Sequence, residues 1–164
     1  MYGHGLTDTA SGGKITRAEY ASAEVVRRFE EVWASLDLRQ EIAELGHGLN
    51  SFFKRGRSLR EFTAMSVALW RLALERSFPD QQAEIFELFM ESSPLLGKRS
   101  RRRKMHQLVR FYLDLCEARR DTDFTPLAKH MADTFCGGDQ RKSLQLKLSL
   151  TIRRIYQNIF DHLI

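Results

Sequence analysis

SLQLKLSLTI, residues Ser143 to Ile152, alternates apolar and other side chains with a period of two, the pattern of a half-buried β-strand. The same stretch carries a second pattern. Leu144, Leu148, Ile152, Ile155, Ile159 and Leu163 recur at three- and four-residue spacing, and this stripe continues well past the end of the alternation. The rest of the chain decides between them. A strand needs a neighbour, because a lone one leaves its N–H and C=O groups unpaired, and no other segment offers that neighbour. The stretch therefore predicts a helix, and with it an all-α fold.

Working back towards the N-terminus, each segment shows helical periodicity between recognisable stops. Thr125-Pro126 starts a helix and Gly137-Gly138 ends it, with proline at the first turn and glycine where a left-handed residue is wanted. Before it, Arg119 to Asp123 reads as a linker, and Met105, Leu108, Val109, Tyr112 and Cys116 mark another helix, expected to start near Ser100. Pro94 and Gly97 separate that helix from Asp80 to Ser93, which carries Glu84, Glu87 and Glu91 on one side, and Phe78-Pro79-Asp80 is expected to open it. Ser58-Leu59-Arg60-Glu61 has capping-box spacing and predicts a fresh helix start. The helix from about 59 to 76 has a single charge, Arg71, between Phe62 and Leu74, so it is apolar nearly all round and is expected at the centre of the molecule. Asp37 caps a short helix, and Thr16 to Glu19 a first one through Val26, Phe29 and Val32. The prediction is one compact bundle of six to seven helices in a single domain over 15–164, preceded by a flexible tail over 1–14.

A chain of 164 residues with 43% hydrophobic and 29% charged residues buries an ordinary core without metal or disulfide staples. Cys116 and Cys136 sit in apolar helical patterns and read as buried thiols. No segment has the apolar length of a membrane span, and the N-terminus lacks a basic start and an apolar h-region. A cytoplasmic protein with no membrane contact is expected.

The chemical motifs in the sequence are mostly incomplete. SGGKIT, Ser11 to Thr16, resembles the end of a phosphate-binding loop, but Ile15 stands where a magnesium-binding hydroxyl belongs and no strand precedes it. Glu44-x-x-His47 has the spacing of a helical di-iron ligand pair, but no second copy exists. His130, Asp133 and Cys136 lie on successive turns but lack a fourth zinc ligand. Glu84, Glu87 and Glu91 are explained equally well by a solvated helix face. No catalytic residue, metal or cofactor is predicted.

The charge distribution is more informative. Residues 1–93 hold 11 basic and 14 acidic side chains, net −3, whereas 94–164 hold 15 and 7, net +8. Lys98, Arg99, Arg101, Arg102, Arg103 and Lys104 supply six of these charges within seven positions, against a whole-chain net of +5. Three arginines at a helix start oppose its positive dipole end by ~0.3–1 kcal/mol each, so an anion is expected to offset them. Nucleic-acid phosphate, the acidic helix before the block, and solvent are the candidates. Lys54, Arg55 and Arg57, beside Phe52 and Phe53, form a second basic spot with aromatics. The segment around Gly137-Gly138, with Arg141 and Lys142 beyond it, has a loose helix-turn-helix outline, though an ordinary helical hairpin fits it better. The resulting expectation is a non-catalytic helical protein contacting DNA or RNA through these basic residues, as a regulator or small ribonucleoprotein subunit. The alternative is a protein-interaction or adaptor module, self-associating or pairing its basic block with an acidic surface.

Overall fold

A computed structural model describes residues 17–46, 52–117, 123–136 and 138–163, with the side chains of 17–20 and 52–55 outside the description. The sequence features at 1–16, His47, Arg119 to Thr122 and Gly137 lie outside the described residues. Within them are seven α-helices and a short 3₁₀ turn: α1 (Arg17–Ser35), α2 (Leu38–Glu44), α3 (Phe52–Ser77), α4 (Gln82–Ser92), the turn Pro94–Leu96, α5 (Arg99–Glu117), α6 (Thr125–Phe135) and α7 (Gln140–Asp161). The all-α bundle read from the sequence is the architecture observed.

The stretch from Ser143 to Ile152 is helical throughout, inside α7. A helix separates what a strand would align. Leu144, Leu148, Ile152, Ile155 and Ile159 are buried, whereas Leu146 and Leu150 point outward. The period-two pattern came from these two leucines, which the core does not use.

α3 occupies the centre, with every residue from Glu61 to Trp70 buried, and it contacts α2, α4, α5, α6 and α7. An element surrounded in this way needs apolar residues on all its faces. Its middle carries an aromatic cluster: Trp70 stacks on Phe29 of α1 at 4.2 Å between ring centres, and Phe89 of α4 meets Trp70 edge-on at 4.8 Å. The one charge between Phe62 and Leu74, Arg71, is half-buried with its guanidinium 5.5 Å from the Phe86 ring centre.

Two boundaries and the burial of one cysteine differ from the sequence reading. Ser58 does not open a helix, because α3 begins at Phe52 and passes through it. Ser58 and Glu61 lie one turn apart on one face, and that face is buried; Glu61 accepts a hydrogen bond from Tyr112 instead of closing a capping box. Capping-box spacing is also the spacing of one helix face, and here the face prevails. Pro79 likewise does not start α4. The Phe78 carbonyl accepts from the amides of Gln81 at 3.1 Å and Gln82 at 2.8 Å, closing a turn that delays the helix to Gln82. Cys136, read as buried, is half-buried at the end of α6, because the chain leaves the helix there in extended conformation.

Other punctuation behaves as its chemistry dictates. The Asp37 side chain accepts from the Gln40 amide at 3.1 Å and caps α2. Pro126 lies in the first turn of α6, and Gly138 adopts φ +80°, which an L side chain rarely tolerates, between α6 and α7. α6 and α7 pack against each other as a helical hairpin, with Arg141 of α7 paired to Asp133 of α6 at 2.5 Å. The residue at the front of the helix-turn-helix outline is thus engaged inside the hairpin.

Candidate nucleic-acid interface

α5 starts at Arg99, so the basic block forms its first turn and a half. The Lys98 carbonyl accepts from the amides of Arg101 at 2.8 Å and Arg102 at 3.2 Å. The core-facing side of α5 is Met105, Val109, Tyr112 and Cys116. Spacing from these residues puts Arg99, Arg103 and Arg110 on the opposite, outward side. All three are exposed, as are Lys98, Arg101 and Lys104. Arg110 was missed in the sequence reading. Its signal was its position seven residues after Arg103, which returns it to the same face after two turns.

Arg102 has a different role from its neighbours. Its guanidinium reaches back to the end of α4, donating to the carbonyls of Glu91, of Ser93 at 3.3 Å and of Gly97 at 3.2 Å. His106, one turn further, places Nε2 3.2 Å from the Met90 carbonyl and donates there as the Nε2–H tautomer. The last carbonyls of a helix lack intrahelical partners and carry the negative end of its dipole, so a guanidinium there satisfies both needs. Ser93 fixes the same corner to α1, its hydroxyl donating to Glu30 at 2.7 Å and accepting from the Leu95 amide at 3.3 Å. Gly97, at φ +79°, makes the reversal into α5.

This corner resolves the electrostatic question only in part. The acidic side chains of α4 do not neutralise the block: Glu84, Glu87 and Glu91 are exposed, and it is the backbone carbonyl of Glu91 that Arg102 uses. Lys98, Arg99, Arg101, Arg103 and Lys104 have no ion-pair partner among the described residues. Some arginines elsewhere are matched, while others, such as Arg39, Arg60 and Arg153, are exposed and, like the block, unpaired among the described residues. Arg27 and Arg28 pair with Glu24 on α1, Arg27 also with Glu31, and Arg154 of α7 with Glu41 of α2. Hydrogen bonding from Arg27, then Arg28, holds the Glu24 carboxyl down to about 2.

The second basic spot divides. Lys54 and Arg55 lie on α3, but their side chains fall outside the described residues. Arg57 is exposed one turn before Glu61, whose carboxylate accepts from the Tyr112 hydroxyl of α5. Tyr112 lies nine residues after Arg103, about 14 Å along the helix axis at the standard rise. Tyr112 belongs to the core-facing side of α5 and not to its outward row.

His130, Asp133 and Cys136, on successive turns of the sequence, do not form a metal-binding group. Asp133 is paired with Arg141, while the His130 ring lies edge-on to Phe111 at 4.7 Å. Among the described residues no group of three or more His, Cys, Asp and Glu side chains comes together. Two surface clefts, of about 500 and 440 Å³, lie elsewhere, one lined by Arg76, Arg153 and Tyr156, the other by Trp33, Leu38 and Leu59, and no block residue lines either. No described helix is long and apolar enough to cross a membrane. No family model, curated protein or solved structure matches the chain.

Proposed function

We propose that this chain is a non-catalytic helical protein that contacts nucleic-acid phosphate through the outward side of α5. The observation carrying this reading is that five of the six cations in the block project into solvent with no ion-pair carboxylate among the described residues, at the helix end where like charge is most costly. A backbone of phosphates supplies the missing anions at a spacing a row of arginines can follow. Arg99, Arg103 and Arg110 extend the contact along the helix, Lys98, Arg101 and Lys104 broaden it, and the exposed Arg57 is included on sequence grounds. Lys54 and Arg55 remain part of the proposed contact on sequence grounds. Arg102 holds the corner that presents the others. Contacts of this kind fix position without reading bases, so the binding is expected to be largely independent of sequence and strongly dependent on salt.

The test is titration of labelled DNA and RNA of mixed sequence at increasing salt. The variant R101E/R103E/K104E keeps Arg102 and is expected to abolish binding with unchanged helical circular dichroism. Equal retention of parent and variant on both nucleic acids at low salt would overturn the reading.

A further inference from the structure

α7 has five cations and no carboxylate between Gln140 and Phe160. Two of the five are matched inside the molecule, Arg141 by Asp133, and Arg154 by Glu41 with Glu44 3.8 Å away. Lys142, Lys147 and Arg153 are exposed and have no ion-pair partner among the described residues. Among these cations stand Leu146 and Leu150, 65% and 61% exposed, the most exposed large apolar side chains among the described residues. Their spacing places Lys142, Leu146, Leu150 and Arg153 in one column along the outer side of the helix, with Lys147 beside it.

We propose that this column is the docking face for an acidic amphipathic helix of another protein. Two leucines one turn apart form an apolar ridge against which a partner helix can lay its own apolar stripe. Cations at both ends of the ridge and along one flank require carboxylates on whatever covers it. A second copy of this chain pairing through its own α7 does not meet that requirement. Antiparallel pairing of two α7 helices brings the Lys142 end of one copy onto Arg153 of the other, and parallel pairing sets each cation on its counterpart. Nucleic acid satisfies the cations but leaves both leucines in water. The face is separate from the α5 contact and does not depend on it.

The probe is a synthetic fluorescein-labelled peptide of ~18 residues, long enough to be helical. It carries leucines at helical spacing flanked by glutamates, and a control peptide has lysines in their place. The acidic peptide is expected to bind with a Kd on the order of tens of micromolar, as for a small transient interface. The variant L146E/L150E is expected to weaken binding at least ~10-fold with an unchanged melting temperature, because substitutions at exposed positions scarcely affect stability. K142E/K147E is expected to reverse the preference towards the lysine peptide, a readout that a folding defect does not produce. R101E/R103E/K104E is expected to bind the acidic peptide normally, which separates this face from the phosphate contact. The proposal is overturned if the acidic peptide fails to bind the parent or binds L146E/L150E equally well. It is also overturned if sedimentation shows a dimer that L146E/L150E dissolves. Binding to phosphatidylserine vesicles through the two leucines, without peptide binding, overturns it in favour of a membrane surface.

Discussion

The Tyr112 hydroxyl donates to the Glu61 carboxylate at 2.7 Å, joining α5 to α3 across 51 residues of sequence with both side chains buried. A buried carboxylate needs this donor, since a polar group left unsatisfied in the interior costs more than the bond itself contributes. Tyr112→Phe keeps the ring and removes the donor. It is expected to destabilise the protein by ~1–3 kcal/mol, read as a lower urea midpoint with unchanged slope.

Alkaline pH should weaken the fold through Cys116 first. Burial pushes its thiol up from 9 to about 12, with the Glu117 charge adding to the effect. A thiol whose folded-state value is raised contributes its full stability below the unfolded value, because both states are then protonated and the fold holds the neutral form. Above pH 9 the unfolded chain sheds the proton first, so stability falls with rising pH until the folded thiol ionises near 12. The slope approaches ~1.4 kcal/mol per pH unit. Denaturation midpoints between pH 8 and 10 check this, and Cys116→Ala is expected to flatten the decline. Tyr112, raised first by burial and then by its bond to Glu61, adds a second loss at higher pH.

Within the basic block, substitution should separate stability from binding. Arg102→Ala removes donors to two backbone carbonyls at the end of α4 and to that of Gly97 before α5, and is expected to cost ~1–3 kcal/mol, with nucleic-acid affinity following the loss of folded protein. Arg101→Glu and Arg103→Glu relieve repulsion at the α5 N-terminus. Each is expected to raise stability by ~0.3–1 kcal/mol at low salt while weakening binding. Melting curves at two salt concentrations decide the matter, since the stabilisation should shrink as salt screens the dipole.

Leu148 and Leu150 test the reading of the alternating stretch. Leu148 is fully buried, so Leu148→Ala is expected to cost ~2–5 kcal/mol, whereas Leu150→Ala should change stability by less than ~0.5 kcal/mol. A strand would put both leucines on one face and make the two costs alike.

The bundle was legible because its signals are local. Proline, glycine and aspartate at helix ends act over a few residues, and a stripe such as Leu144 to Ile159 repeats often enough to outweigh a competing period. What was not legible depends on distant partners. Ser58 and Glu61 match a capping box until Tyr112 arrives from another helix, and Arg102 is one arginine among five similar neighbours until the end of α4 folds against it. Arg110 was accessible to periodicity, since a helix face gathers charges seven residues apart that form no run in the sequence. The exposed leucines of α7 were visible as the alternation itself, although their outward direction followed only once the helix was established.

The three carbonyls gathered by Arg102 imply uneven tolerance within a nearly uniform run. A planar guanidinium can send N–H groups to Glu91, Ser93 and Gly97 at once, which a single ammonium on a flexible stem cannot reproduce. Exchange of arginine for lysine should therefore be harmless at 99, 101 and 103 and damaging at 102. A reshuffled block of identical composition that moves its serine to 102 would keep every charge and lose the corner.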